Sequence, residues 1–342
     1  MLKIKNTMLM MVLAIILTSK GFAQTGVDHM NELNAAFSEL KDDTWKYLRT
    51  ITKGKSARKS ESKRSQLIDQ YKKQITVVNG IKPFQGDASL KDATLKYLDL
   101  AHTVLEKDYA KIVDMEAVAE ESYDAMEAYI LANQRAGEKL EAASVELKEA
   151  EKQFAEKNDI TLLEGEQDRK SEKIEKASNM LTYYNKVYLI FFKVHKQEAY
   201  VLAAQQAVDI TAFEQNVNAL IMEADEALRK LDTLSPYEGD RSIVDAAIES
   251  MKFFKNEAEN EFPKISDFYI KKDNFDKANE IMQAKKQKDR TKEDVDKYNK
   301  AVNEYNEAVG SINQTNERMN KNRAKMLDDW NKAVESFYKT HS

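Results

Sequence analysis

Two stripes of residues, each held on one helical face by steps that alternate four and three, constrain this chain more than any other feature. The first runs Met115, Ala119, Ser122, Met126, Tyr129, Asn133, Ala136, Leu140, Ala143, Leu147, Ala150, Phe154. The second runs Val295, Tyr298, Val302, Tyr305, Val309, Ile312, Asn316, Met319, Arg323, Met326, Trp330, Ala333, Phe337. A seam of period 3.5 sustained this far needs long helices packed on other helices. Asn316 and Arg323 interrupt the second seam, and a buried Asn can fix register at some cost in stability. The small alanines of the first suit close packing inside one molecule, so a bundle core within one chain is expected.

Punctuation agrees. Only 3 prolines and 9 glycines interrupt 342 residues, 32% of which are charged, a composition of long helices. No alternating β-branched run reads as a strand. The expected fold class is all-α, an elongated helical bundle of two tandem duplicated modules with long heptad-patterned helices.

The duplication is read from "PFQGDASLKDA" (83–93) and "PYEGDRSIVDA" (236–246), which align at an offset of 153. The match extends without a gap over 83–115 and 236–268, with identities such as Pro83/Pro236, Gly86/Gly239, Asp87/Asp240 and Asp114/Asp267. Apolar phase also persists upstream, at Leu67/Leu220, Ile68/Ile221 and Val78/Leu231. Repetition on this scale organises a fold. The expected domains are a leader at 1–23, module 1 at 24–165 and module 2 at 166–342. Helices are expected at about 28–52, 60–79, 89–110, 112–157, 167–207, 211–232, 242–260, 264–287 and 292–339.

The repeated motif reads as a turn between helices. Proline and glycine stop one helix, and Ser89 with Asp92, like Ser242 with Asp245, stand three apart as in a capping box. A calcium loop would need alternating oxygen ligands closed by a bidentate Glu, and a phosphate loop would need Gly-x4-Gly-Lys after a strand. Neither copy has them. The copies differ at Ala88/Arg241 and Lys91/Val244.

Lys3 and Lys5, the apolar run Met8–Thr18 and the small-x-small end Gly21-Phe22-Ala23 have the order of a secretory leader cleaved before Gln24. Net charge is −5 for the whole chain and −8 without the leader's three lysines, so there is no global pull towards nucleic acid. The chain has no cysteine, which excludes disulfides, thiol catalysis and zinc-thiolate sites.

No catalytic or metal constellation is legible. His29, His102, His195 and His341 stand apart, and only Asp99-x-x-His102 approaches the paired Glu-x-x-His of di-iron bundles. The reading is of a non-enzyme with no catalytic, cofactor-binding or metal residues and no cofactor. The candidate partner-binding residues are Arg49, Lys53, Lys55, Arg58, Lys59, Lys63 and Arg64, seven cations against Glu61. In an acidic chain this stretch could meet an envelope protein, anionic lipid or polysaccharide; without interleaved aromatics it suits no single-stranded nucleic acid. Residues 181–201, "LTYYNKVYLIFFKVHKQEAYV", are read as a central helix covered on all sides. The rival reading is a membrane-active segment of a pore-forming-like protein, although the run Tyr188–Phe192, flanked by Lys186 and Lys193, falls short of the roughly 20 residues that span a bilayer.

With its Phe22-Ala23-Gln24 leader end, no cysteine, a doubled Pro-[Phe/Tyr]-x-Gly-Asp turn and long heptad helices, the chain resembles exported all-helical bacterial surface proteins of no established activity. The resemblance implies a periplasmic, surface or secreted location. It carries over no functional residue.

Overall fold

The computed structural model describes residues 25–52, 57–162 and 169–341. The leader, Lys53, Lys55 and the 165/166 junction expected between modules lie outside them. The helices are α1 (Gly26–Thr52), α2 (Ala57–Gly80), α3 (Ser89–Thr103), α4 (Tyr109–Ala119), α5 (Tyr123–Lys157), α6 (Arg169–Gln206), α7 (Ile210–Asp232), α8 (Ser242–Asn256), α9 (Phe262–Ala284) and α10 (Lys292–His341). No strand occurs among the described residues. The protein is all-α.

It divides into two compact units, at Asn185/Lys186 inside α6, with 338–342 belonging to the first. In the first unit α1 packs on α2, α2 on α3, and α5 on both α3 and α4. The buried residues of α1 (Met30, Leu33, Phe37, Leu40, Thr44, Tyr47, Leu48) recur every three or four positions, so a single stripe faces the core. Phe37 meets Tyr97 edge-on in mid-core, and Tyr47 meets Tyr109 nearer one end. In the second unit α7 packs on α8, Phe213 meets Phe262 edge-on, and Phe275 of α9 stacks on Tyr305 of α10 at 5.0 Å.

Two helix ends expected at 110 and 260 do not occur. A single π-turn, Val104–Asp108, joins α3 to α4 without a break, and another, Glu257–Glu261, joins α8 to α9. The Tyr109 N–H reaches back five residues to the Val104 carbonyl, as Phe262 does to Glu257. Each turn holds one extra residue; the first does so with neither glycine nor proline nearby, while Pro263, which has no N–H to donate, directly follows the second. The break comes later, at 120–122, where the Ser122 hydroxyl accepts from the Ala125 N–H at 3.1 Å. The stripe expected to run unbroken from Met115 is therefore cut there. From Met126 onward its residues Ala136, Leu140, Ala143, Leu147 and Phe154 line the buried face of α5.

The repeated turn has the same geometry twice. Phe84 and Asp87 exchange backbone hydrogen bonds at 3.0 and 2.8 Å, and so do Tyr237 and Asp240. Both central residues lie at positive φ: Gln85 +50° and Gly86 +87°, Glu238 +49° and Gly239 +86°. The conformation is that of a two-residue turn of the mirror-image type, which favours glycine. Asp87 Oδ1 then accepts from the Ser89 N–H at 2.9 Å, and Asp240 Oδ1 from Ser242 at 2.7 Å. The capping box expected of Ser89 and Asp92 is absent, because the aspartate two residues earlier already caps the helix. True reciprocal boxes form at Thr25/Asp28 and Thr291/Asp294.

Burial repeats as well. Leu90, Thr94, Tyr97, Leu98, Ala101, Val104, Leu105, Tyr109 and Ile112 are buried in the first unit. Their counterparts 153 residues on, Ile243, Ala247, Ser250, Met251, Phe254, Glu257, Ala258, Phe262 and Ile265, are buried in the second. The Lys91/Val244 and Ala88/Arg241 differences compensate one another. Lys91 Nζ donates to the carbonyls of Asn79 and Ile81 at 2.8 and 2.6 Å. In the second unit Arg241 Nη1 reaches the carbonyl of Leu234, the counterpart of Ile81, at 3.4 Å. A cation meets the end of the preceding helix in both units, from different positions.

A Cβ added at Gly86 or Gly239 meets nothing within 4 Å, so substitution there costs only backbone strain. Gly86→Ala and Gly239→Ala should each destabilise by about 1 kcal/mol, read as matching drops in denaturant midpoint. Gln85→Asn and Glu238→Asn should be neutral or better.

Candidate functional site

The basic stretch does not survive as a single surface. Arg49, in the last turn of α1, and Arg58 and Lys59, in the first turn of α2, are exposed. Lys63 is half-buried and donates to Gln66 at 2.7 Å. Arg64 is buried. Its Nε and Nη2 donate to the two carboxylate oxygens of Glu61 at 2.8 and 2.6 Å, and its Nη1 donates to the Leu105 carbonyl at 2.5 Å. Leu105 sits inside the first π-turn, so Arg64 is a structural cation that ties α2 to that turn. A fork of fixed donors can serve a carboxylate and a carbonyl together. Charge counting along the sequence saw only a run of cations, because burial is not written in composition.

The histidines do not converge. His29 is fully buried, neither ring nitrogen has a hydrogen-bond partner, and its ring lies 5.7 Å from both Phe84 and Phe154. Burial pushes its pKa below the ordinary 6.5, which leaves a neutral ring in an aromatic corner beneath the first turn. Glu151 of α5 is also buried, and desolvation pushes its pKa up to about 7. Among the described residues no group of three His, Asp or Glu side chains is placed to hold a metal ion, and no helix is long and apolar enough to cross a membrane.

Residues 181–201 lie wholly in α6. Val187, Phe191, Phe192, Val194 and Val201 are buried, and Tyr188, Leu189 and Ile190 partly so. Within the second unit Phe191 stacks face to face on Trp330 of α10, ring centres 4.1 Å apart and planes 3° from parallel. His195 stacks on Phe191 at 5.7 Å.

One helical turn further along α6 stands the most concentrated buried charge among the described residues. Glu198 and Glu257 are 3% and 2% exposed, and Arg323 of α10 reaches both. Its Nε donates to both Glu198 Oε1 and, at 3.2 Å, Glu257 Oε2, while Nη2 is 2.9 Å from Glu257 Oε1. Its guanidinium lies 5.8 Å from the Phe262 ring centre, and His195 Nδ1 lies 3.8 Å from Glu198 Oε2. The sequence flagged Arg323 as an interruption in an apolar seam. A cation on a core face implies a buried acid. Neither Glu198 nor Glu257 stood out in a chain this rich in glutamate.

Removing one partner of a buried ion cluster strands the others, at about 3–5 kcal/mol. Arg323→Met should therefore lower stability by that order in chemical denaturation. Lys325→Met, which breaks an exposed 2.6 Å pair with Asp329 on the same helix, should cost less than about 1 kcal/mol. Compared with protein-family models, curated proteins and solved structures, the chain matches none.

Proposed function

We propose that the chain is an exported, non-catalytic helical protein of the cell envelope or surface, built from two tandem modules and working as a binding or structural interaction component. Export rests on the order of charges, apolar run and small residues in the first 23 positions. The tandem duplication is supported by the recurrence, 153 residues apart, of the same turn dihedrals, the same buried positions and the same π-turn. A non-catalytic role is supported by what the polar residues do. Asp87, Asp240, Lys91, Arg241, Arg64 and Ser122 all satisfy backbone groups of helix ends and turns, which absorbs the motifs that looked like sites.

The observation that carries the binding role is the exposure of Arg49, Arg58 and Lys59 at the α1–α2 junction of an acidic protein. Lys53 and Lys55 belong to the same stretch of sequence. An anionic surface, whether lipid, polysaccharide or an acidic protein face, is the partner chemistry that this charge fits. Arg64 is not part of the contact.

Each cation near an anionic surface contributes about 1 kcal/mol. Replacing Lys53, Lys55, Arg58 and Lys59 with Gln should weaken co-sedimentation with isolated envelopes at least about tenfold at low salt, with the melting temperature unchanged. Binding equal to the parent would end this reading. Loss of binding on Arg64→Gln is expected only together with loss of stability.

A further inference from the structure

We propose that Glu198, Glu257 and Arg323 form a proton-operated latch, in which one proton shared by the two carboxyls fastens the second π-turn to α6 and α10 and whose hold weakens as pH rises. The geometry supplies two acids and one cation in a place that water barely reaches. Such a cluster is neutral only when one carboxyl keeps its proton. Glu257 Oε1 and Arg323 Nη2 are close, yet they are not aligned as a hydrogen bond, and both atoms are buried without another partner. The single Nε–H of Arg323 is shared between the two carboxylates and Glu257 Oε1 is left without a donor, so one guanidinium does not neutralise both acids, and a proton held on Glu257 towards Glu198 does what it cannot.

The surroundings leave few other charges. From α6 the cluster is faced by Glu198 and His195, and from α10 by Arg323, with the neutral Asn320 on its Nη1 at 3.3 Å. Glu261, later in the π-turn, is engaged by Arg318 and Lys264. The buried residues of α7 (Phe213, Leu220, Ala224, Ala227, Leu231) are all apolar, and those of α8 are apolar except Ser250. Burial first, then the hydrogen bond and charge of Glu198, push the Glu257 pKa up to about 9 against the pull of Arg323.

The sign follows from that direction. The closed turn holds a proton that an opened turn, with an ordinary glutamate near 4.5, has already lost. The latch is at full strength below about pH 4.5, weakens through the range between, and has lost its proton-linked contribution above about 9. On release the Glu257 O–H bond breaks and the proton passes to hydroxide, with no other bond made or broken. The first unit provides a control within the same molecule. Its π-turn carries Val104 where the second carries Glu257, and Val104 is equally buried.

Hydrogen exchange on the full chain tests the latch, read as protection relative to intrinsic rates between pH 7.5 and 9. This window lies above the ordinary histidine range and above the titration of Glu151. Protection at amides 257–265 should fall roughly tenfold or more across it, since one linked proton changes an opening constant by up to about tenfold per pH unit. Protection at 104–112 should stay level. Glu257→Gln, which keeps the shape of the protonated acid, and Glu198→Gln, which leaves one acid per arginine, should each level the profile at 257–265. Level protection at 257–265 in the unaltered chain overturns the proposal. So does a fall that either variant retains.

Discussion

The two π-turns are the constraint on which the rest depends. Each holds one residue more than an α-turn, so two neighbouring side chains point inward together: Val104 with Leu105, and Glu257 with Ala258. The next inward residue, Tyr109 or Phe262, begins the helix beyond. This lets α3 run on into α4 with neither glycine nor proline in the turn, and α8 into α9 with Pro263 just beyond it, where a missing N–H costs least because the ladder is already interrupted. It also leaves backbone that the regular ladder does not serve. In the first unit a buried arginine from α2 serves it, at Leu105. In the second the inward residue is itself a carboxylic acid, and α10 answers with an arginine.

How much of this was legible follows from what leaves a mark on composition. Helical class and the turns are written as breakers and apolar spacing, and the structure reproduces them; of the second stripe only Ile312, Met319, Met326, Trp330 and Phe337 are buried, while Val295 is exposed and Ala301, Ala308 and Thr315 take the buried face instead. The first π-turn has no such mark, and the only one beside the second is Pro263. The segment 104–108 reads as ordinary helix, and the helix ends expected at 110 and 260 fall where the chain instead stays helical through a π-turn. The break at 120–122 was hidden because Ser122 sat within the stripe, although a serine there is a helix cap. Ser89 and Asp92 had the spacing of a capping box. The positive φ of Gln85 and Gly86 instead aims Asp87 at the helix start. Spacing alone cannot choose between two competing caps.

The charged residues sort by burial. Along the sequence Arg64 was one cation among seven, and in the fold it belongs to the core of its unit. Arg323 looked like a flaw in a seam and is the centre of a cluster. Lys91 and Arg241, where the two copies differ, perform one task from two positions. Polar residues that seemed to promise chemistry mostly satisfy backbone, because helices this long end in many unbonded groups. Of the basic stretch, Arg49, Arg58 and Lys59 stay exposed at the ends of α1 and α2.

Turn dihedrals, the 15-residue helices α3 and α8, the π-turns and the buried positions correspond between the units while the π-turn charge does not, and the first unit forms the same turn with no such cluster. Buried ion clusters replaced whole by apolar residues are often neutral or stabilising, whereas breaking them singly is costly. The decisive measurement is the denaturant midpoint at pH 7 of the triple variant Glu198→Leu, Glu257→Val, Arg323→Met. The account expects stability equal to or above that of the parent, far above Arg323→Met alone. A triple variant as unstable as the single one would contradict it.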